Sequence, residues 1–389
     1  MDITKFNSLI LIIYIYITSI SLLFAPFIST FLVELVLLLL LILVTLILNK
    51  FEFNLKIIVY FVFTTLFIGI NILAVSYKDY VFADGFNFIL YSFIPIYLLT
   101  QKLVTFEFFR DYWIKLSIIF TYLLPIYYIY RQNGHISYYD IGFLSHLNIL
   151  IIAYCLISQK SKNVKMIIYL LVNIGVLAIL GSRMVLVASL ITIIFTFILF
   201  SNKKNIKFYL NLILISIIGL IVSQNLLNIL IYLNNTIADF GIRSRNLSMF
   251  ITQLSGRSDD SIILSGRDNI YPVISQYLFE NGIRPSGFSV ARKLTNGMYY
   301  HSHNFFMELL LIFGLLGVIL ILITVIVKIC ILLKVKNMKD NKLMLQFLLI
   351  FLVSFLIRSL TGTYFVTDVI FLVCLGIFLS ISLKEIENT

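Results

Sequence analysis

The sequence carries very little charge for its length. Only 12% of its 389 residues are charged, against 61% hydrophobic residues, and the mean hydropathy is +1.04. Soluble domains carry about 25% charged residues, so a soluble globular protein is excluded. Many apolar runs reach the roughly 20 residues that a helix needs to cross a bilayer. The chain is therefore predicted to be an all-α, multi-pass integral membrane protein.

Cysteine is also scarce, and the motifs of several other function classes are missing. Cys155, Cys330 and Cys374 all lie in or beside predicted spans, so no disulfide framework is expected. The chain has neither a GxxxxGK[ST] phosphate-binding loop nor paired cysteines at zinc spacing. His301 and His303 form an HxH pattern without obvious further ligands, so no metal site is predicted. Nucleic acid is not expected as a partner, because membrane topology explains the basic residues.

Apolar runs separated by polar breaks predict about twelve transmembrane helices. The predicted spans are residues 8–27, 30–48, 57–75, 87–101, 114–131, 141–158, 166–181, 184–200, 208–226, 304–329, 343–360 and 368–384. The first run has no small-residue cleavage site after it, so we interpret it as a retained span. The predicted regions are membrane helices 1–9 in residues 1–226, one large extracytoplasmic loop in 227–303, and helices 10–12 with a cytoplasmic C-terminus in 304–389.

The basic residues indicate how the chain is oriented. Lysine-rich connections such as NKFEFNLK, QKSKNVK and SNKKNIK alternate with lysine-poor ones, which places both termini in the cytoplasm. On this topology Arg110 is the only arginine inside, and Lys78 and Lys293 are the only lysines outside. The planar guanidinium group binds phosphate or carboxylate oxygens in pairs, whereas lysine suffices for orientation. The outer surface is therefore predicted to bind an anion, with pairing to outer carboxylates as the alternative.

The long loop at 227–303 is predicted to fold rather than to be disordered. Its first part could lie as amphipathic helices at the membrane surface. Ser265 to Asp268 resembles a capping box, and apolar residues follow at helical spacing until Gly282. Seven basic residues lie in this loop: Arg243, Arg245, Arg257, Arg267, Arg284, Arg292 and Lys293. The loop ends at HSHNFFMELLLIFGLLG, residues 301–317, where two histidines run directly into the tenth span.

Three segments carry a resemblance to a known family. They are GSRMVLVASL at 181–190, SGRDNIYPVISQYLFENGIRPSGF at 265–288, and HSHNFFMELLLIFGLLG at 301–317. In these segments and in their order relative to the spans, the chain resembles the bacterial O-antigen ligase and O-antigen or capsule polymerase superfamily. The resemblance covers roughly residues 141–360 and is greatest to the polysaccharide polymerases. It implies a glycosyltransferase C-like membrane fold.

The resemblance also implies an activity. Such enzymes move a glycan from undecaprenyl diphosphate to an acceptor hydroxyl at the outer face of the bacterial cytoplasmic (inner) membrane. They use no nucleotide sugar, essential metal or other cofactor. The implied partners are the undecaprenyl-diphosphate-linked glycan donor and acceptor and the lipid bilayer, with a chain-length regulator as a candidate protein partner.

The resemblance assigns the site residue by residue. The implied catalytic residues are His303 as the base that accepts the acceptor proton, with Arg267 and Arg183 at the departing diphosphate. His301 is a rival for the base, although His303, which adjoins Asn304, fits the family's pattern better. Asn304 and Glu308 are four residues apart, so they are expected to share a helix face. The predicted substrate-binding residues are Arg245, Arg284, Arg292, His301, Asn304 and Glu308.

Ordinary structural explanations stand beside these assignments. A histidine at a membrane interface is often only a hydrogen-bonded amphipathic side chain, and Arg183 could be an interfacial anchor. Gly314 and Gly317 are expected to allow close helix packing.

Other ionisable residues in or beside the spans could serve substrate or merely pair with neighbours. Glu34 and His146 fall inside predicted spans, where unpaired exposure to lipid is costly, so each either lines a cavity or bonds another helix. Arg358 and Asp368 flank the outer turn TGTYFVTD, and a mutual ion pair is as probable there as substrate binding.

Two other functions remain open at this point. One is an O-antigen ligase-type transfer of finished glycan to a different acceptor, which shares the donor chemistry. The other is a flippase or transporter for lipid-linked oligosaccharide. Transporters typically show internal repeats and polar midplane sites, whereas this chain concentrates polar residues in one outer loop.

Overall fold

A computed structural model describes most of the chain, and all secondary structure assigned in the described part is helical. The described residues are 3–51, 55–89, 99, 104–158, 163–200, 217, 221, 224–239, 241, 244–256, 267–334, 339–360 and 362–380. Their helices are α1 (Ile3–Ile15), α2 (Ile17–Leu22), α3 (Thr30–Leu48), α4 (Leu55–Ala74), α5 (Lys78–Asn87), α6 (Phe106–Gln132), α7 (Tyr138–Ser158), α8 (Val164–Leu180), α9 (Arg183–Phe200), α10 (Leu226–Asp239), α11 (Arg245–Leu254), α12 (Arg267–Glu280), α13 (Val290–Leu294), α14 (Phe305–Lys334), α15 (Lys339–Ser359) and α16 (Val369–Ser380).

The helices support a multi-pass membrane protein. Five helices in the described part are long and apolar enough to cross a bilayer: Thr30–Leu48, Phe106–Gln132, Tyr138–Ser158, Arg183–Phe200 and Phe305–Val327. Five shorter apolar helices lie at Ile3–Ile15, Ile58–Ala74, Val164–Leu180, Leu343–Ser359 and Val369–Phe378. Most of the predicted spans 87–101 and 208–226 lie outside the described residues. The total of twelve spans and the single outer loop therefore remain predictions.

Helix boundaries differ from the predicted ones in a few places. The first predicted span consists of two helices, α1 and α2, that meet at Tyr16. Helix α5 lies where only a polar connection was expected. Within the predicted loop, helix α12 is described from Arg267 onwards and ends before Gly282, as its apolar spacing indicated. The predicted capping residue Ser265 lies outside the described residues.

The chain divides into two compact units. Unit 1 comprises residues 1–115 and 267–389, and unit 2 comprises residues 116–266. Helix α6 begins in unit 1 and ends in unit 2. The predicted regions 1–226, 227–303 and 304–389 were defined by membrane topology and not by compactness. They therefore remain a prediction beside these two units.

Aromatic residues form much of the core of unit 1. The rings of Phe109, Trp113, Phe347 and Phe351 contact one another where α6 meets α15. The indole N–H of Trp113 donates to the hydroxyl oxygen of Tyr16 (3.1 Å), so its one polar atom is satisfied within the core.

A second apolar cluster in unit 1 positions α12 and α13. Ile270, Ile274 and Leu278 of α12 are buried together with Val290 of α13 and Leu311 of α14. Because the first three follow at helical spacing, they form one apolar face of α12. This face fixes the first residue of α12 relative to the start of α14.

Unit 2 is built around α7, whose spanning segment is largely buried. Polar side chains link it to its neighbours. Asn148 donates its amide N–H to Asn173 of α8 (3.0 Å), and Asn173 donates to Thr121 of α6 (2.8 Å). Backbones also approach closely, because a Cβ atom added at Gly142 would lie 3.1 Å from the Cα of Gly181. The bend between α8 and α9 is thus pressed against α7.

Candidate active site

The turn that carries both histidines is held by the first residues of α14. Asn304 caps the helix, since its side-chain oxygen accepts hydrogen bonds from the backbone N–H groups of Phe306 (3.0 Å) and Met307 (3.2 Å). The backbone N–H of Ser302 donates to Glu308 Oε2 (2.7 Å), and the Glu308 side chain is buried. Asn304 therefore binds backbone of the first turn of α14 and Glu308 binds backbone of the turn before it, which gives each of them a structural role.

His303 adopts a backbone conformation that is uncommon for a residue other than glycine. Its φ angle is +58°, in the left-handed region, and its carbonyl accepts a hydrogen bond from the Tyr271 hydroxyl (3.3 Å). The His303 ring packs edge-on against Tyr299, with centroids 5.7 Å apart. Left-handed non-glycine residues persist where the surroundings hold them, and they are enriched at active sites.

His303 and Arg267 converge on one point in unit 1. A Cβ atom added at Gly362 would lie 3.5 Å from His303 Nδ1 and 3.7 Å from Arg267 Nη2. Burial lowers the pKa of His303, and the positive charge of Arg267 lowers it further. At neutral pH His303 is therefore uncharged and able to accept a proton beside a guanidinium group.

His301 is fixed more tightly than His303. Its Nε2 lies 3.1 Å from the carbonyl oxygen of Gly362, and its ring stacks on Tyr364 with centroids 4.9 Å apart and planes inclined by 10°. Burial, followed by the charge of nearby His303, lowers the pKa of His301 to about 4. A carbonyl oxygen can only accept, so Nε2 of the neutral ring carries the proton and Nδ1 carries none. The ring centroids of His301 and His303 are 4.4 Å apart.

Arg292 lies in an aromatic sandwich. Its guanidinium carbon is 4.3 Å from the ring centroids of both Tyr80 and Tyr300. Its charge also acts on Asp84, whose pKa is raised by burial and lowered in part by a hydrogen bond from Ser289 and by Arg292. This arrangement holds a cation in one orientation.

Arg284 takes no part in the contacts around the histidines and Arg292. Its side chain is exposed, and the turn that carries it contacts α14 through its backbone. Helix α14 is interrupted at Gly314, where φ is +65° and ψ is 178°. The backbone N–H of Leu315 donates to the Ile283 carbonyl (3.0 Å), and the N–H of Ser286 donates to the Leu311 carbonyl (2.8 Å). The turn thereby satisfies backbone groups around the interruption.

The remaining predicted site residues belong to unit 2. Arg183 is the first residue of α9, directly after the bend, and its guanidinium carbon lies 5.8 Å from the ring centroid of Phe250 in α11. Ser244 caps α11 by accepting from Leu247 N (3.1 Å). Arg245 begins α11, and its side chain lies outside the described residues. Arg183 and α11 are thus neighbours within unit 2.

His146 and Glu34 were each predicted either to line a cavity or to bond another helix, and both have hydrogen-bond partners within the protein. His146 is fully buried and its Nδ1 lies 2.6 Å from Ser189 Oγ in α9. Glu34 accepts a hydrogen bond from Ser21 (3.2 Å).

Arg358 and Asp368 form a buried ion pair joining the end of α15 to the start of α16. The pair has two contacts, of 2.6 and 3.0 Å. The mutual ion pair is therefore the arrangement observed on either side of the TGTYFVTD turn.

Sequence reasoning missed the residues that enclose the histidines from elsewhere in unit 1. Gly362 and Tyr364 come from the turn between α15 and α16, and Tyr271 comes from α12. Tyr80 and Asp84, which contact Arg292 and Ser289 rather than the histidines, come from α5. A glycine and a tyrosine inside the short segment TGTYFVTD between two apolar runs were the only sequence signal. Within the described residues, no group of three or more His, Cys, Asp or Glu side chains is placed to hold a metal ion.

Comparison with protein families confirms the resemblance inferred from the motifs. Residues 168–322 match the family described as O-Antigen ligase, which relates the chain to the O-antigen ligase and polymerase superfamily. The matched segment includes Arg183, Arg267, His301 and His303. No curated protein and no solved structure matches the chain. The match indicates a glycosyltransferase-like membrane enzyme of polysaccharide-related glycan transfer.

Proposed function

We propose that this protein polymerises undecaprenyl-diphosphate-linked oligosaccharide repeat units into a surface polysaccharide, either O-antigen or capsule. The transfer takes place at the outer face of the bacterial cytoplasmic membrane, with both termini in the cytoplasm. The observation that supports this most is the convergence of His303 Nδ1 and Arg267 Nη2 beside Gly362. A proton acceptor and a fixed cation next to one space are what glycosyl transfer from a diphosphate requires.

In the proposed reaction the acceptor hydroxyl oxygen attacks the anomeric carbon of the donor sugar. A glycosidic C–O bond forms and the C–O bond to the diphosphate breaks. The hydroxyl proton passes to neutral His303, and the electron pair leaves with the lipid diphosphate. Because negative charge grows on the leaving group, a guanidinium group already in place stabilises the transition state more than the bound donor.

The positions of the arginines support an anionic substrate. Arg183 and Arg245 begin α9 and α11, and Arg267 is the first described residue of α12. A helix start already carries partial positive charge, so a cation there is unfavourable unless an anion compensates it. Within unit 1 we assign Arg267 to the diphosphate. The family resemblance predicts the same role for Arg183, and Arg245, Arg284 and Arg292 are kept as further predicted substrate-binding residues. The protein's own residues supply this chemistry, and no cofactor is proposed.

The test is a strain that lacks the native protein and carries single variants. His303→Ala and Arg267→Ala are expected to abolish long polysaccharide, because removing a general base alone costs about 10²–10⁴ in rate. Single lipid-linked units should accumulate on the outer side. His135→Ala and Arg110→Ala are matched controls, since both residues belong to other segments. Normal chain lengths in both site variants would refute the proposal.

The same experiment separates the two other functions. The family match favours an O-antigen ligase-type reaction as the second candidate, in which finished glycan moves to a different acceptor. In that case long lipid-linked glycan, rather than single units, would accumulate outside the cell. Units that remain on the cytoplasmic side would instead indicate a flippase.

A further inference from the structure

We infer that Gly362 leaves open the space occupied by the acceptor hydroxyl oxygen, and that His301 is a positioning residue that holds Gly362 there. The inference rests on the proposed function and adds two residue roles to it. Gly362 would limit what fits between base and cation, and His301 would fix the turn that carries Gly362.

The geometry at Gly362 identifies the space. A side chain there would begin 3.5 Å from His303 Nδ1 and 3.7 Å from Arg267 Nη2. An acceptor oxygen at the position of this Cβ atom would be slightly beyond hydrogen-bond distance of both groups. Catalytic contacts are often long in the protein without substrate and shorten in the complex. The absence of a Cβ at this one position therefore keeps the candidate base accessible. Gly362 also has a φ of +148°, a conformation that L-residues rarely adopt.

The contacts of His301 explain how the turn stays in place. The N–H at Nε2 donates to the Gly362 carbonyl oxygen, and the ring stacks on Tyr364, two residues further along. His301 thus holds the turn by one hydrogen bond and one ring contact. His301 holds the carbonyl oxygen of Gly362, the same residue whose missing side chain leaves the space open. A shift of this turn would therefore change the position of the space relative to His303 and Arg267.

His301 is consequently distinct from His303 in role. His301 Nδ1 is buried and has no hydrogen-bond partner among the described residues. Its Nε2 proton is already committed to Gly362. During the transfer the acceptor proton goes to His303 and the electron pair goes to the diphosphate, so His301 neither gains nor loses a proton.

The first test fills the space. Gly362→Ala places a methyl group between His303 and Arg267, and we expect turnover to fall at least a hundredfold. Gly282→Ala is the matched control, because Gly282 also has a positive φ (+62°) but nothing lies within 4 Å of an added Cβ. Purified Gly362→Ala should still be stabilised against heat by undecaprenyl diphosphate alone, since only the acceptor position is filled. Near-normal turnover of Gly362→Ala would overturn the inference, as would loss of diphosphate binding in a folded variant.

The second test does not change the backbone of the turn. His301→Gln retains an amide N–H that can donate to the Gly362 carbonyl, whereas His301→Phe retains only the ring that stacks on Tyr364. We expect His301→Gln to keep at least ten times the turnover of His301→Phe, with an unchanged pH profile. Equal activities in these two variants would overturn the positioning role. If His303→Ala and Arg267→Ala also polymerise normally, the proposed function itself fails.

Discussion

At the scale of single residues, the decisive property is the charge state of His303. A histidine acts as a general base only while it is neutral, and both burial and the nearby guanidinium group of Arg267 keep it neutral. The same guanidinium group is suited to the diphosphate of the proposed donor. In the proposed reaction, one arginine therefore favours both proton transfer to His303 and departure of the diphosphate.

This arrangement predicts a specific dependence on pH. The pKa of His303 lies below its ordinary value of 6.5, so polymerisation should decline only when the pH falls below 6.5 and through that lowered value. Replacing Arg267 by Gln removes a positive charge that opposes protonation. The pKa of His303 should consequently rise towards 6.5, although burial still holds it down.

The shift can be measured without activity, by NMR titration of ring-labelled histidine in the purified protein. Arg284→Gln is the control, since Arg284 lies in an exposed turn that packs on α14 near Gly314. An unchanged or lower pKa of His303 in Arg267→Gln would contradict the electrostatic account.

At the scale of elements, the candidate site depends on helix α14, which carries the capped turn at one end and an interruption within the predicted span. At Gly314 the helix opens, and the turn at residues 283–286 enters and satisfies backbone groups there. The same segment continues into Ser289 and α13, where Tyr80 and Asp84 of α5 bind it. The interruption therefore links a helix long and apolar enough to span a membrane to the segment that precedes the histidines.

Replacing Gly314 by Ala tests this link. A Cβ atom there would lie 2.6 Å from the backbone nitrogen of Pro285, and φ is +65°, so the turn must move or the backbone must strain. Strain of this kind costs on the order of 1–3 kcal/mol. We expect a lower thermal stability in detergent for Gly314→Ala. Gly69→Ala in α4 is the control, because nothing lies within 4 Å of its added Cβ; equal stability of the two variants would show that the contact is unimportant.

Some of these elements could be predicted from the sequence and others could not. The apolar face of α12 repeats at helical spacing and was predicted in register. The helix cap at Asn304 also follows a known sequence pattern, a polar residue directly before an apolar run, although Asn304 was assigned to substrate. Gly362 could not be found in this way. It lies about sixty residues from the histidines along the chain, and only packing brings the two segments together.

At the scale of the whole molecule, the outer surface of several helices is apolar. Only 11% of the spanning part of α3 is buried, and about half of the surface of Leu32, Leu39, Leu40 and Leu43 is exposed. In water such a surface would promote aggregation, whereas in a bilayer it contacts lipid. The candidate site in unit 1 instead has polar residues in turns at helix ends. Such a distribution is typical of an enzyme that works at one membrane face.

The predicted orientation can be checked by chemical labelling. Cys155, Cys330 and Cys374 are first replaced by serine or alanine, since none of them forms a disulfide. A cysteine introduced at exposed Asn296 should then react with a membrane-impermeant maleimide on intact cells. A cysteine at Lys50 should react only after the cells are permeabilised. The reverse pattern would place the histidines on the cytoplasmic side and refute an outer-face enzyme.

The most direct test of the central claim is turnover by the purified protein in proteoliposomes. The wild-type protein is supplied with undecaprenyl-diphosphate-linked repeat units alone, and two products are measured together: lipid-linked glycans longer than one unit, and free undecaprenyl diphosphate. We predict that the wild-type protein forms one undecaprenyl diphosphate for each new glycosidic bond. We also predict that His303→Ala, while still correctly inserted, forms neither product. Wild-type rates in His303→Ala, or a wild-type protein that releases diphosphate without lengthening any glycan, would contradict the account.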